Sequence, residues 1–403
     1  MNINFPYKLD HFQKEAIKAL DASNSVLLTA PTSSGKTFVA EYAIEKALEE
    51  SKHLYYTAPI KALCNQKFRD FSNQFGEENV GLLTGDHSIR SDSKVLVMTT
   101  EVLRNMLYSS RGTPEDLRYV VLDEIHFLED PYRGAVWEEI ILTLPNNVLI
   151  VALSATVSNA DELKDWITSV RGNIEKITRE TRPVPLKGHF FAVEKSRNHQ
   201  LTRIEILKNG KPNSRGQIFS NARRGRGKQN FRRWTTPRRS EIVAELKKLE
   251  MLPAIYFIFS RKGCDEARDS MVRYVGSLNN IEEGKKARKY AEERFALLTE
   301  EEKRILRVDL LLEGLEKGFA SHHAGLLPLF KQTIEELFSL GLLKLVFATE
   351  TLAVGVNLPA RSVVIEKLTK FNGESHELLK PSQFTQLTGR AGRRGIDVEG
   401  HSF

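Results

Sequence analysis

Cysteine is nearly absent: Cys64 and Cys264 are the only two in 403 residues, far apart and in helix-like segments. That excludes a disulfide framework and fits a reduced, cytoplasmic protein. No apolar run approaches the roughly eighteen residues of a membrane span, so no transmembrane helix is expected. The opening residues, Met1 to Asp10, lack the apolar stretch of a signal peptide. His322 and His323 have no Cys or His partners at ligand spacing, which argues against a zinc-type centre. As strand-end histidines they are read instead as lining a polar or phosphate-bearing groove. Acidic residues are missing from Ile206 to Ser240, where eleven Lys or Arg occur. Without those eleven the chain holds 48 basic against 52 acidic residues, a net charge of −4 in place of +7. The basic character therefore belongs to one segment, and a nucleic-acid groove elsewhere must be a local patch. The Gly, Asn and Arg content of this segment reads as a disordered insert. Two readings of it stand: a solvated linker with nonspecific phosphate affinity, or a strand binder whose Phe231 and Trp234 stack on bases.

The length allows two or three domains, and 41% hydrophobic with 28% charged residues is ordinary for a soluble globular chain. Ser25 to Thr29 is an apolar strand, and Phe38 to Ile44 has helical spacing. Between them lies Ala30-Pro31-Thr32-Ser33-Ser34-Gly35-Lys36-Thr37, in the strand–loop–helix context of a phosphate-binding loop. Gly35 lets the backbone approach phosphates, and the helix N-terminus presents N–H groups and a positive dipole end. Lys36 would reach the β- and γ-phosphates, with the hydroxyl of Thr37 on Mg2+. Thr32, Ser33 and Ser34 complete the cradle.

Strands and helices then alternate. Strands are expected at 53–57, 80–86, 94–100, 119–122 and 147–153, with polar residues gathered at their ends. This pattern predicts an α/β fold with a parallel, doubly wound sheet, its ligand groups at the strands' carboxyl ends. Asp123 and Glu124 follow the fourth of these strands. A strand-end Asp suits Mg2+, and the adjacent Glu can orient or deprotonate an attacking water. Hydrolysis, and not binding alone, is the expectation. Upstream, Leu9 to Leu20 has helical spacing with Asp10 as cap, and the amide of Gln13 has the donor and acceptor that an adenine edge needs.

Arg182 to Leu186 reads as an extended exit from the first domain. Residues 1–187 are thus expected as the ATP-binding domain, 188–239 as a basic linker and 240–403 as a second domain. The second domain carries a helix after Ser240, strands at 253–260, 319–325, 342–349 and 362–365, and a charged helical insertion over about 275–316. It has no second phosphate loop. Asn372-Gly373 between strand-like residues signals a hairpin. Gln386 to Gly395 packs three arginines among glycines, as arginines delivered onto a γ-phosphate require.

The phosphate loop, Asp123-Glu124-Ile125-His126, Ser154-Ala155-Thr156 and Gln386 to Arg393 occur in the order seen in superfamily-two helicases. Arg133 to Glu139, Ser321 to Gly325, Thr349 to Ala360 and Gly389 to Gly395 narrow the likeness. Through essentially its whole length the chain resembles the Ski-like DExH RNA helicases of actinobacterial and exosome-associated type. That resemblance implies two tandem RecA-like domains joined by the basic insert, with ATP and Mg2+ as cofactors. Gln13 would read adenine, and Gly355 and Asn357 would lie at the nucleotide. His126, Ser154 and Thr156 would couple hydrolysis to domain movement. Gln386 would position the water, and Arg390 and Arg393 would contact the γ-phosphate. Pro59, Lys61, Thr84, Gly85, Thr99, Thr100, His323 and Thr349 would line the strand track.

The implied partner is single-stranded RNA, tracked 3′ to 5′, with DNA as the alternative. RNA-decay or RNA-processing partners, a monomeric state and no membrane association complete the expectation. A non-enzymatic nucleic-acid-binding module is the reading from another class; intact Lys36, Glu124 and Arg393 argue against it. Family members continue into a winged-helix and a helical ratchet domain, so a truncated helicase core is expected here. The insert at 206–240 has no counterpart that the resemblance supplies.

Overall fold

The computed structural model describes residues 9–32, 34–109, 112–130, 133–156, 159–194, 200–208, 210–214, 234–352, 358–371 and 375–403. Two compact units emerge, the first running to Pro183 and the second beginning at Val184.

The first unit runs α1 (His11–Asp21), β1 (Ser25–Thr29), α2 (Thr37–Glu49), β2 (His53–Ala58), α3 (Lys61–Phe75), β3 (Val80–Leu83), β4 (Ser88–Ile89), β5 (Val95–Thr99), α4 (Thr100–Tyr108), β6 (Leu117–Leu122), a 3-10 turn (Ile125–Glu129), α5 (Ala135–Thr143), β7 (Leu149–Ser154), α6 (Ala160–Arg171) and β8 (Ile174–Thr178). The sheet order is β4-β3-β5-β2-β6-β7-β1-β8, and only the short β4 pairs antiparallel. Its inner strands are continuous apolar runs because both faces are covered. Successive residues go to opposite faces. Val26 and Leu28 of β1, with Tyr119 and Val121 of β6, meet Phe12, Val39 and Phe71 from α1, α2 and α3. Leu27, Val120 and Leu122 meet Leu103, Trp137 and Ile167 from α4, α5 and α6. This is the expected doubly wound α/β domain, with β4 and β8 added at the sheet's edges.

The second unit contains β9 (Leu186–Glu194), β10 (Gln200–Glu205), β11 (Leu207–Lys208), β12 (Lys211–Pro212), β13 (Trp234–Thr235), α7 (Arg239–Lys248), β14 (Ala254–Phe257), α8 (Arg261–Tyr274), α9 (Ile281–Phe295), α10 (Glu300–Ile305), α11 (Val308–Glu316), β15 (Phe319–His322), α12 (Pro328–Ser339), β16 (Leu345–Ala348), β17 (Ser362–Ile365), β18 (Thr369–Phe371), β19 (His376–Leu378), α13 (Pro381–Thr388) and β20 (Gly400–Ser402). Strands β20-β17-β14-β16-β15 form a parallel core around Ala254, Tyr256, Phe319 and Phe347. The expected helical insertion is α9 to α11.

Residues 188–239, expected as a linker, differ from that reading. Their first residues lie in β9 and β10, an antiparallel pair that extends the second sheet through β20, and β13 returns to pair with β9. Ala192, Val193 and Ile204 bury on this extension while Phe190 stays exposed, a half-buried edge. The middle of the basic segment, 215–233, lies outside the described residues. So does Asn372-Gly373, although its flanking strands β18 and β19 pair antiparallel, Phe371 opposite His376. Among the described residues no helix is long and apolar enough to cross a membrane.

Candidate active site

Apart from Gln13 on α1, the described residues that the sequence marks in the first unit gather at the carboxyl edge of one sheet, in two neighbouring groups. The phosphate loop follows β1, Asp123 follows β6 and Ser154 ends β7, while Pro59 follows β2, Thr84 and Gly85 follow β3, and Thr99 ends β5. Parallel pairing with one strand direction produces this gathering.

Gly35 has φ +91°, in the left-handed region that a side chain resists, and Lys36 and Thr37 open α2 behind it. Among the described residues no side chain caps α2, whose N-terminus opens on the loop, the end of a helix that suits an anion. Lys36 Nζ donates to Ala30 O (3.0 Å) and Ser154 O (2.9 Å), closing the loop's two flanking strand ends over itself. Gln13 is buried. Its amide oxygen accepts from Asp10 N (2.9 Å) and its nitrogen donates to Gly35 O (3.1 Å), so it braces the loop from α1. Thr32 is half-buried and Ser34 buried; Ser33 lies outside the described residues.

Asp123 is buried. Its Oδ1 accepts from Glu124 N (2.9 Å) and its Oδ2 from the hydroxyl of Tyr56. Burial, with the Glu124 charge beside it, pushes the Asp123 carboxyl up to about 6. Glu124 has φ +53°, an uncommon backbone state for a residue with a side chain, and the strain sits where the acid pair turns out of β6. His126 Nδ1 lies 3.3 Å from Glu124 Oε2. The 3-10 turn that carries His126 is backed by α5, whose preceding residue is Gly134. A Cβ there would stand 2.1 Å from Leu128 O. Ser154 is buried, with no hydrogen-bond partner for its Oγ among the described residues, and Thr156 is exposed.

Among the strand-track candidates, Lys61 pairs with Asp86, which also accepts from Thr84 Oγ1 (3.1 Å). Pro59 is buried, a Cβ on Gly85 would meet open space, and Thr99 is the residue before α4, with no capping hydrogen bond from its side chain. Thr100 is buried, with no partner for its Oγ1 among the described residues.

In the second unit Gln386 is half-buried on α13, and Arg390 is buried in the turn that follows. Arg393 is held in a fork by Asp397, Nε to Oδ2 and Nη2 to Oδ1, each 2.8 Å. Thr349 is buried at the end of β16, its Oγ1 2.9 Å from Thr351 Oγ1. His323 is buried, its Nε2 3.1 Å from Asp265 Oδ2 and its Nδ1 accepting from Gly325 N (3.2 Å). His322 is likewise buried, against Glu335 at 2.9 Å. Gly355 and Asn357 lie outside the described residues.

The donor set fits a magnesium–nucleotide pair. Among the described residues no cluster of three or more His, Cys, Asp or Glu could hold a metal. One carboxylate and one hydroxyl are what Mg2+ takes from a protein when phosphates supply the rest. Sequence reasoning missed Tyr56 and Lys67, which touch Asp123 and Thr37. A hydroxyl in the centre of a fully buried strand is the signal for Tyr56, because it must find a partner.

Residues 10–163 match the DEAD/DEAH box helicase family, and residues 275–395 match the helicase conserved C-terminal domain. The chain is 46% identical to "Probable helicase HelY" of Mycobacterium tuberculosis, over 98% of this chain and 45% of that protein. It is 40% identical to "DExH-box ATP-dependent RNA helicase DExH15 chloroplastic" of Arabidopsis thaliana, over 99% and 37%. With "Superkiller complex protein 2" of Homo sapiens the figures are 39%, 98% and 32%. The chain belongs to the Ski-like DExH branch of the superfamily-two helicases. It spans less than half the length of the relatives it matches.

Proposed function

We propose that this chain is the motor core of an ATP-dependent RNA helicase, hydrolysing ATP to move along single-stranded RNA in the 3′ to 5′ direction. The observation that carries it is the single sheet edge of the first unit. There the phosphate loop with Lys36 at the start of α2 stands one strand away from a buried Asp123 and a backbone-strained Glu124. Bound Mg2+·ATP supplies the transferable phosphoryl group and the cation that neutralises it. Lys36 exchanges the carbonyls of Ala30 and Ser154 for phosphate oxygens. Thr37 and Asp123 are the oxygen donors for the cation. Glu124 orients a water and accepts its proton, with His126 beside it. Arg390 and Arg393 are the charges offered to the γ-phosphate, Arg393 after release from Asp397. Phosphate contacts at the ends of β2, β3 and β5 hold a strand without reading its bases.

The RNA preference rests on the Ski-like family and on relatives named as RNA helicases. Phosphate-tracking contacts do not read the sugar, so a DNA strand is the second outcome of the test. ATP turnover is measured with RNA, with DNA and without a strand, and RNA is expected to stimulate most. Glu124→Gln is expected to bind a fluorescent ATP analogue while turnover falls by about 10³-fold. Robust turnover in that variant overturns the assignment of Glu124. Equal stimulation by DNA overturns the RNA preference.

A further inference from the structure

Tyr56 sits in the middle of β2, completely buried, on the strand next to the one that ends in Asp123. A phenol in such a place must donate to something, and a neutral backbone carbonyl would satisfy it. Its hydroxyl instead donates to Asp123 Oδ2, while Glu124 N holds Oδ1 at 2.9 Å. The carboxylate is thereby fixed at both oxygens, each of which keeps a lone pair for a further partner. The phenol is itself fixed: Phe71 of α3 packs edge-on against its ring, centroids 5.1 Å apart. One helical turn earlier, Lys67 lies over the Phe71 ring and donates to Thr37 Oγ1 at 3.3 Å. The two oxygen donors assigned to magnesium come from different elements, α2 and β6. Both are tied back to the same pair, β2 and α3.

We propose that Tyr56 is a positioning residue of the magnesium site, its hydroxyl setting the orientation in which Asp123 meets the ion. The inference rests on the reading of Asp123 as a magnesium ligand. Tyr56 touches neither nucleotide nor metal; it acts through the carboxylate, as groups behind metal ligands commonly do. Loss of such a partner typically lowers metal affinity about 10–100-fold.

Tyr56→Phe keeps the ring and its packing on Phe71 and deletes only the hydroxyl. Binding of a fluorescent ADP analogue is titrated in EDTA and then against Mg2+, with the paramagnetic resonance of Mn2+·ADP recorded alongside. In Tyr56→Phe the EDTA affinity is expected to stay within about twofold of the unaltered protein. The Mg2+ concentration for half-maximal tightening rises by about 10–100-fold, and the bound Mn2+ spectrum changes. Val80→Ala opens the core at β3, away from Tyr56, Asp123 and Thr37, and is expected to lower the melting temperature while the Mg2+ requirement stays put. An unshifted Mg2+ requirement in Tyr56→Phe overturns the proposal, as does an equal shift in Val80→Ala. Asp123→Ala separates the two layers. If it retains Mg2+-dependent binding, the reading of Asp123 fails. If it loses that dependence while Tyr56→Phe keeps it, only the role of Tyr56 fails.

Discussion

The two units use the same architecture at their first parallel core strand and finish it differently. In the first, β1 leads through a loop of small residues to α2, which has no side-chain cap among the described residues. In the second, β14 leads to α8, and Ser260 Oγ accepts from Gly263 N at 3.1 Å. One helix opens on a loop of small residues, and the other is satisfied by a side chain of its own first turn. The acids tell the same story. Burial and the neighbouring Glu124 charge raise the carboxyl of Asp123 to about 6. Burial also works against Asp265, yet hydrogen bonds from His323 and Ser321 and the Arg268 charge hold it below its ordinary value. An acid whose charge its surroundings do not repay suits a site that awaits a cation. An acid already answered by its neighbours is structure. Phosphate chemistry in this fold is thus decided by what meets the first helix and the strand-end acid, and not by the sheet.

The sharpest break of this contrast is Lys36→Ala. ATP turnover is expected to fall by about 10³-fold with the melting temperature little changed; turnover within tenfold of the unaltered protein would sink the phosphate-loop reading. Next in size is the acid pair, measured by denaturant unfolding in EDTA. Asp265→Ala strips partners from His323 and Ser321 and, discounted for partial exposure of the carboxylate, is expected to cost about 1–2 kcal/mol. Asp123→Asn is expected to stabilise by about 1–2 kcal/mol at pH 8. The sign follows from the raised value: the folded state holds the Asp123 proton more tightly than the unfolded chain does. Ionisation therefore removes stability as pH rises from 3.8 through about 6. The gain should vanish near pH 4, and a loss of stability at pH 8 would contradict the assignment. Smallest is Ser260→Ala, expected to lower stability by about 1 kcal/mol with ATP turnover unaltered. A change in turnover would show that the α8 end takes part in the chemistry.

The first unit was legible because its strands are apolar on both faces and its polar residues cluster at one end of each. The β1–loop–α2 sequence and Asp123-Glu124 needed no tertiary information to stand out. Strand β9 did not stand out. Lys187, His189 and Glu194 interrupt its apolar residues, Pro183 and Pro185 precede it, and the basic segment follows, so an edge strand resembled a linker. The pairing of His323 with Asp265 was not legible because the two lie far apart in sequence. The clasp between Arg393 and Asp397 joins residues four apart outside any helix, where no periodicity points to it. Tyr56 was covered only by the expected strand at 53–57, because pattern carries no information on where a hydroxyl ends.

Gly134 has a consequence of another kind. It bears no functional group, yet any side chain there would collide with the carbonyl of Leu128 and crowd that of Asp130, 2.8 Å from the added carbon. The displaced segment is the turn that follows Glu124. The tolerance of this position to substitution is therefore set by the turn that carries the acid pair, although no reacting atom is near. A scan of all nineteen replacements at residue 134 should resemble one at Lys36 in lost turnover and differ from it in retained nucleotide binding. Part of the acid's address is written as an empty volume.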